Sequence, residues 1–225
     1  MEKIIFVTGT DTGVGKTLLT ASLVYHLRQK GIDALGMKPF CSGRRQDVKV
    51  IQSVQDARLS DEEINPFYFS EPVAPLVATR KSRQKTPLEQ VVQHVHWVAD
   101  KCERLVVEGS GGLMVPLGEG YTVADLIESL GCAAVVVARN KLGTINHSLL
   151  TIRELQSRGL PSLKVVLMNA QTSDLSSTTN LKILRELLAP IRVFKMPFLG
   201  SNPLCFKALK NNHKKIKKVL AQIVD

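Results

Sequence analysis

The residues Ile4-Ile5-Phe6-Val7-Thr8-Gly9-Thr10-Asp11-Thr12-Gly13-Val14-Gly15-Lys16-Thr17 pass from an apolar, β-branched run into glycines, and Leu18, Leu19, Leu23 and Leu27 follow at helical spacing. That order reads as strand, phosphate loop and helix. Successive backbone N–H groups in such a loop converge on phosphate oxygens, and the first turn of the helix adds unpaired N–H groups and the positive end of its dipole. Lys16 is then placed to reach the β- and γ-phosphates of a nucleotide, and Thr17 to put its hydroxyl on Mg²⁺. The spacing is one residue longer than the usual motif, because Gly9 and Gly15 enclose five residues and Thr10 stands where the first glycine is expected. A glycine turn without function has no need of Gly15-Lys16-Thr17 between a strand and a helix. The reading is a nucleoside triphosphate site.

Working outward, 225 residues suit one large α/β domain over 1–225 with a sizeable core. No linker, repeat or low-complexity tract divides it. The first strand begins at once and no apolar run approaches ~18 residues, which predicts a cytoplasmic protein with neither signal peptide nor membrane span. Cys41, Cys102, Cys132 and Cys205 are scattered without paired metal-ligand spacing, which suits free thiols in a reducing compartment. The net charge of +10 invites a nucleic-acid reading, but residues 191–225 alone hold eight Lys and Arg residues against Asp225. Within that tail Phe206, Leu209, Ile216, Leu220 and Ile223 keep helical spacing, so the lysines read as the wet face of a packed C-terminal helix. No aromatic stacking pair accompanies them, and nucleic acid is not an expected partner.

Asp33 to Lys38 reads as a second short strand ending in the polar loop Pro39-Phe40-Cys41-Ser42-Gly43. Ligands of open parallel sheets gather at the carboxyl ends of the strands, where Lys38 and Ser42 fall. Residues 47–57, opened by Asp47, read as a short helix or ordered turn. Residues 65–79, rich in proline, read as a long ordered loop over the strand ends rather than a regular helix. Thr86-Pro87-Leu88-Glu89 has the cap, first-turn proline and acid of a helix start, with Leu88, Val91, Val92, Val95, Val98 and Cys102 as its buried stripe.

Arg104 to Gly112 is the second informative stretch: an apolar strand delivers one carboxylate, Glu108, at its tip and turns into Gly109-Ser110-Gly111-Gly112. A nucleotide-binding sheet places an acid near Mg²⁺ in this way. Thr122-Val123-Ala124-Asp125 opens a helix as a capping box, and Ala133 to Ala138 is a further apolar strand. Beyond it Thr144 or Asn146 can cap the next helix, whose first-turn N–H groups suit a carboxylate. Leu163 to Met168 is a strand ending at Asn169, which can read a base edge or simply make a turn. Val193 to Met196 is the last strand, followed by Pro197-Phe198-Leu199.

With these residues in place the chain resembles the dethiobiotin synthetase family over nearly its whole length. The resemblance rests on Gly9-Thr10-Asp11-Thr12 with Gly15-Lys16-Thr17 and its extra loop residue, Lys38-Pro39 with Ser42-Gly43, Asn65-Pro66 with Glu71-Pro72, Val107-Glu108-Gly109 with Gly111-Gly112, and Lys141-Leu142-Gly143 with Ile145-Asn146-His147. It implies a P-loop NTPase fold with a seven-stranded, mostly parallel sheet and helices on both faces, assembled as a homodimer with composite sites. It implies the reaction of 7,8-diaminopelargonic acid with CO₂ and MgATP to give dethiobiotin, ADP and phosphate through a carbamate and a mixed anhydride. Carried over residue by residue, Lys16 and Lys38 stabilise developing charge. Thr17, Asp47 and Glu108 hold Mg²⁺ directly or through water. Gly13, Val14, Gly15, Leu18, Gly109, Ser110 and Gly111 line the phosphates, while Asn169, Ala170, Pro197, Phe198 and Leu199 frame adenine. Thr12 and Ser42 contact the substrate, whose carboxylate is received by Gly143, Thr144, Ile145 and Asn146 of the partner subunit. Gly13 and Leu204 depart from relatives with an acid or a polar nucleotide contact there. The rival reading is a partitioning or positioning ATPase acting as a nucleotide-dependent switch; such proteins use a second lysine early in the loop, where this chain has Asp11.

Overall fold

A computed structural model describes every residue except Met1, Pro161 and Ser173. The strands in chain order are β1 (Ile4–Gly9), β2 (Ala34–Met37), β3 (Phe40–Ser42), β4 (Phe67–Phe69), β5 (Arg104–Glu108), β6 (Pro116–Gly118), β7 (Tyr121–Thr122), β8 (Ala133–Arg139), β9 (Leu163–Met168) and β10 (Arg192–Met196). The helices are α1 (Lys16–Gln29), α2 (Gln46–Ser53), α3 (Asp61–Ile64), α4 (Pro75–Ser82), α5 (Leu88–Ala99), α6 (Val123–Leu130), α7 (Thr144–Ser157), α8 (Asn180–Leu187) and α9 (Phe206–Val224), with one 3-10 turn at Leu175–Thr178.

Six strands form a wholly parallel sheet in the order β10-β9-β8-β1-β5-β2. Its central strand explains why: Ile4 and Phe6 face one apolar cluster and Ile5 and Val7 the other. A strand apolar on both faces needs helices above and below. Helices α1 and α9 pack on one face through Leu19, Leu23, Ile216 and Leu220. On the other, α5, α6, α7 and α8 contribute Val95, Ile127, Ile152 and Leu184. All six strands end on one edge, and Glu108 lies level with Val7 beside the phosphate loop.

The main sheet thus has six strands where the resemblance implied seven. The further parallel pairing lies beyond Pro39, where β3 and β4 form a separate two-stranded sheet. Pro39 stands between β2 and β3 and has no N–H to donate, while its carbonyl accepts from Phe67 N at 3.1 Å and Lys38 N donates to Ile64 O at 2.9 Å. The stretch 65–79 also departs from the expected loop, since it contains β4 and the first turns of α4. Pro75 occupies the first turn of α4, where its missing N–H has no partner to lose.

Capping readings divided. The Thr122/Asp125 box forms as expected, with Asp125 Oδ2 accepting from Thr122 N at 2.6 Å and Thr122 Oγ1 from Asp125 N at 3.5 Å. Thr86 does not cap α5, whose cap position is Pro87 without a side-chain bond. Instead the Thr86 carbonyl accepts from the Tyr121 hydroxyl at 2.7 Å, a long-range bond that the local pattern does not reveal. In α9 Leu209, Ile216, Leu220 and Ile223 are buried as the periodicity predicts, but Phe206 is 45% exposed and meets Tyr25 edge-on. Among the described residues no helix is long and apolar enough to cross a membrane.

Candidate active site

The phosphate loop leaves the central strand at Gly9 and enters α1 at Lys16. Gly15 has φ +108°, a left-handed conformation that a side chain would strain. The loop is strapped on two sides: Thr10 N donates to Val137 O at 3.0 Å, and the Arg139 guanidinium donates to Gly13 O at 3.1 Å. Thr12 N donates to Asp11 Oδ1 at 2.6 Å within the loop. Lys16 Nζ donates to Asp11 O at 2.9 Å and to Gly111 O at 2.6 Å, bridging the loop to the turn after β5. Only 6% of Lys16 is exposed, and burial pushes its pKa down to about 8 despite the opposing pull of Glu108. Its ammonium is held by neutral carbonyls, which a phosphate oxygen outbids as a partner.

Beside Lys16 stands a buried charge cluster. Glu108, 1% exposed at the tip of β5, accepts through Oε1 from Thr17 Oγ1 at 2.8 Å and from Lys38 Nζ at 2.6 Å. Lys38 follows β2, and its ammonium donates also to Asp47 Oδ2 at 2.7 Å from the first turn of α2. Burial lowers the Lys38 pKa, but the Glu108 and Asp47 carboxylates outweigh it and hold the ammonium charged. Burial raises Glu108, with Lys38 opposing. Three parts of the chain, separated by up to 91 residues, are thereby joined at one carboxylate.

The donor set fits Mg²⁺. Glu108 Oε2 is buried with no hydrogen-bond partner among the described residues, and so retains lone pairs for a cation or its water. Thr17 and Asp47 add a hydroxyl and a second carboxylate within the same hydrogen-bonded cluster. No group of three or more His, Cys, Asp or Glu able to hold a metal occurs among the described residues. A hard cation such as Mg²⁺ can be bound by one or two carboxylates, with water and substrate phosphate completing its shell.

A cleft of 390 Å³ collects Thr12, Gly13, Gly15, Lys16, Thr17, Leu18, Lys38, Asp47, Glu108 and Gly111, together with Pro203 and Leu204. All of these but Pro203 lie in the sequence motifs or, for Leu204, at a position where the chain departs from its relatives. A larger cavity of 450 Å³ opens at the other end of the strands, among Ile5, Ala134, Lys164 and Asp225, away from every motif. Ser42, Asn169, Ala170, Pro197, Phe198, Leu199 and Gly143 to Asn146 do not line the 390 Å³ cleft. The Ser42 hydroxyl is buried without a partner among the described residues, and Ser110 Oγ donates to Phe40 O at 2.7 Å. Asn169 is more than a turn residue, because its Oδ1 accepts from Asn140 Nδ2 at 2.9 Å. Helix α7 starts at Gly143 with φ +90° and no side-chain cap, so neither Thr144 nor Asn146 caps it as expected. Thr144 is the first residue of the helix, past the cap position, and its hydroxyl is buried without a partner among the described residues.

A parallel sheet covered on both faces, a glycine loop joining its central strand to a helix, and a carboxylate at the adjacent strand tip define a P-loop NTPase. Over residues 3–203 the chain matches the AAA domain family. It is 38% identical over 207 residues to the ATP-dependent dethiobiotin synthetase BioD of Bacillus licheniformis, covering 89% of this chain and 86% of that one. It is 42% identical over 174 residues to the protein of the same name from Anaeromyxobacter sp. (strain Fw109-5), covering 76% and 78%. The chain belongs to the dethiobiotin synthetase family. Solved structures sharing the fold include the MinC:MinD cell division protein complex of Aquifex aeolicus, with TM-score 0.62, 15% identity and coverage of 99% and 96%. A ParA family ATPase from Chlorobium tepidum TLS gives TM-score 0.58 at 12% identity, covering 97% and 93%. At these identities the likeness is one of fold.

Proposed function

We propose that this chain is a cytoplasmic, ATP-dependent cyclo-ligase that converts 7,8-diaminopelargonic acid and CO₂ to dethiobiotin, with ADP and phosphate as the other products. The observation that carries the reading, within a family of that name, is a second buried ammonium beside the phosphate loop: Lys38 Nζ, bonded at 2.6 Å and 2.7 Å to Glu108 and Asp47. An NTPase that only hydrolyses or switches needs the loop lysine; an enzyme that phosphorylates a carbamate needs positive charge at the attacking oxygens as well.

In this reading the loop N–H groups from Gly13 to Leu18 receive the triphosphate. Lys16 exchanges the Asp11 and Gly111 carbonyls for phosphate oxygens. One substrate amine takes up CO₂ as a carbamate, whose oxygens Lys38 neutralises. A carbamate oxygen attacks the γ-phosphorus and ADP leaves; the second amine then attacks the carbonyl carbon and expels phosphate, closing the cyclic urea. Thr17, Asp47 and Glu108 would hold Mg²⁺, which would supply positive charge to the phosphoryl oxygens when bound. Gly109, Ser110 and Gly111 shape the turn against the loop, and Thr12 and Ser42 flank the diamine. Asn169, Ala170, Pro197, Phe198 and Leu199 frame the adenine.

The substrate carboxylate is assigned to Gly143, Thr144, Ile145 and Asn146 of a partner subunit in a homodimer. Leu142 before α7, Leu150 within it and Leu175 in the 3-10 turn are 79%, 59% and 89% exposed, and a second copy would cover apolar surface of this kind. Neither nucleic acid nor membrane enters the reaction. Incubation of the purified protein with the diamine, bicarbonate and MgATP should yield dethiobiotin by mass spectrometry. ADP release without dethiobiotin would refute the assignment.

A further inference from the structure

Asn140 follows β8 and is 4% exposed; Asn180 begins α8 and is 2% exposed. Buried amides are costly unless each polar atom finds a partner. Asn140 Oδ1 accepts from Asn180 Nδ2 at 3.0 Å. Asn140 Nδ2 donates to Ser177 O at 3.0 Å and to Asn169 Oδ1 at 2.9 Å. Asn180 Nδ2 donates also to Lys141 O at 3.2 Å.

The two backbone carbonyls decide the direction of the chain of amides. Ser177 O and Lys141 O can only accept, so each side-chain NH₂ must face its carbonyl, and neither Asn140 nor Asn180 can be turned over without setting oxygen against oxygen. Asn169 is then fixed as well, with Oδ1 turned inward to Asn140. Its own NH₂ has no acceptor among the described residues and points away from that bond.

We propose that Asn140 and Asn180 are positioning residues that lock the Asn169 amide with its NH₂ directed at an acceptor on the nucleotide base. This deepens the reading of Asn169 as an adenine contact and rests on it. The base is thus met by a donor of fixed direction, and little side-chain entropy remains to be lost when it binds.

The test is calorimetric binding of MgATP and of magnesium tripolyphosphate, which has the phosphates but no base. Asn140→Ala should weaken ATP about tenfold, as for loss of one oriented hydrogen bond, and leave tripolyphosphate unchanged. Asn169→Ala should do the same, and the double variant should be no worse than Asn169→Ala alone, because Asn140 acts through Asn169. Unchanged ATP affinity in Asn140→Ala, losses that multiply in the double variant, or an equal loss for tripolyphosphate would each overturn the proposal. Should Asn140→Ala fail to fold, Asn169→Asp keeps an acceptor for Asn140 but lacks the outward donor. It should bind ATP at least tenfold more weakly, and wild-type affinity in it would refute the idea. These binding measurements stand apart from dethiobiotin synthesis: a protein that makes no dethiobiotin yet obeys this cycle refutes the reaction and keeps the amide lock.

Discussion

Replacing Lys38 by alanine separates chemistry from nucleotide binding. In the folded protein Lys38 Nζ is shared by Glu108 at 2.6 Å and Asp47 at 2.7 Å, and the Glu108 side chain is only 1% accessible. Removing the ammonium leaves a buried carboxylate without its counter-charge, a change that costs about 3–5 kcal/mol where the charge is retained. Glu108, already raised by burial, has another course, which is to take a proton. The folded state then holds a proton that the unfolded chain releases, so the variant's stability should fall as pH rises through that folded pKa. Urea unfolding should therefore show the Lys38→Ala deficit growing from pH 5 to pH 8, and Mg²⁺ reducing it. Turnover should drop by ~10²-fold or more, since the charge is lost where negative charge develops in the transition state. ATP affinity should stay near wild type, because the loop and Lys16 are untouched; Lys16→Ala should instead weaken ATP directly. Near-normal dethiobiotin formation by Lys38→Ala would refute its assigned role.

Glu108→Gln should keep the fold and raise the Mg²⁺ concentration needed for half-maximal turnover, the amide being isosteric but no longer anionic, with Asp47→Asn smaller in effect; a metal titration checks both. His26 is buried, and burial, with Lys30 and His213 adding to it, takes its pKa down to about 4. The unfolded chain thus binds a proton between pH 6.5 and 4 that the fold refuses, stability should fall as pH is lowered through that window, and His26→Gln should reduce this acid sensitivity in unfolding measurements. Changing the exposed Lys214, Lys215, Lys217 and Lys218 together to glutamine should leave kcat unchanged, as none lines the 390 Å³ cleft. Mixing Lys16→Ala subunits with subunits carrying a bulky residue at Gly143 should restore about a quarter of wild-type activity if each site is shared across a two-fold dimer, and none after verified exchange if it is not.

What the sequence disclosed follows the range of the forces involved. The phosphate loop, the strand tips and the burial of Leu209, Ile216, Leu220 and Ile223 were legible because glycine conformations and apolar periodicity are local. Lys38 and Glu108 were singled out separately, each as a polar residue ending an apolar strand. Their contact arises because β2, β5 and β1 lie side by side in the sheet, an order that no single stretch contains. The misreadings have the same origin. Thr86 has the chemistry of a cap, but its carbonyl bonds to Tyr121, 35 positions on, and its segment is set by that contact. The six-stranded main sheet and the separate pairing of Phe40 to Ser42 with Phe67 to Phe69 likewise depend on long-range neighbours that neither stretch contains alone. Asn140 and Asn180 gave no signal at all, for asparagine after a strand or opening a helix is ordinary turn and cap chemistry. Only the folded chain sets them 3.0 Å apart, with Asn169 at the end of the row. Buried polar partners across 29 and 40 residues are therefore where the fold adds functional information that periodicity and motif spacing cannot hold.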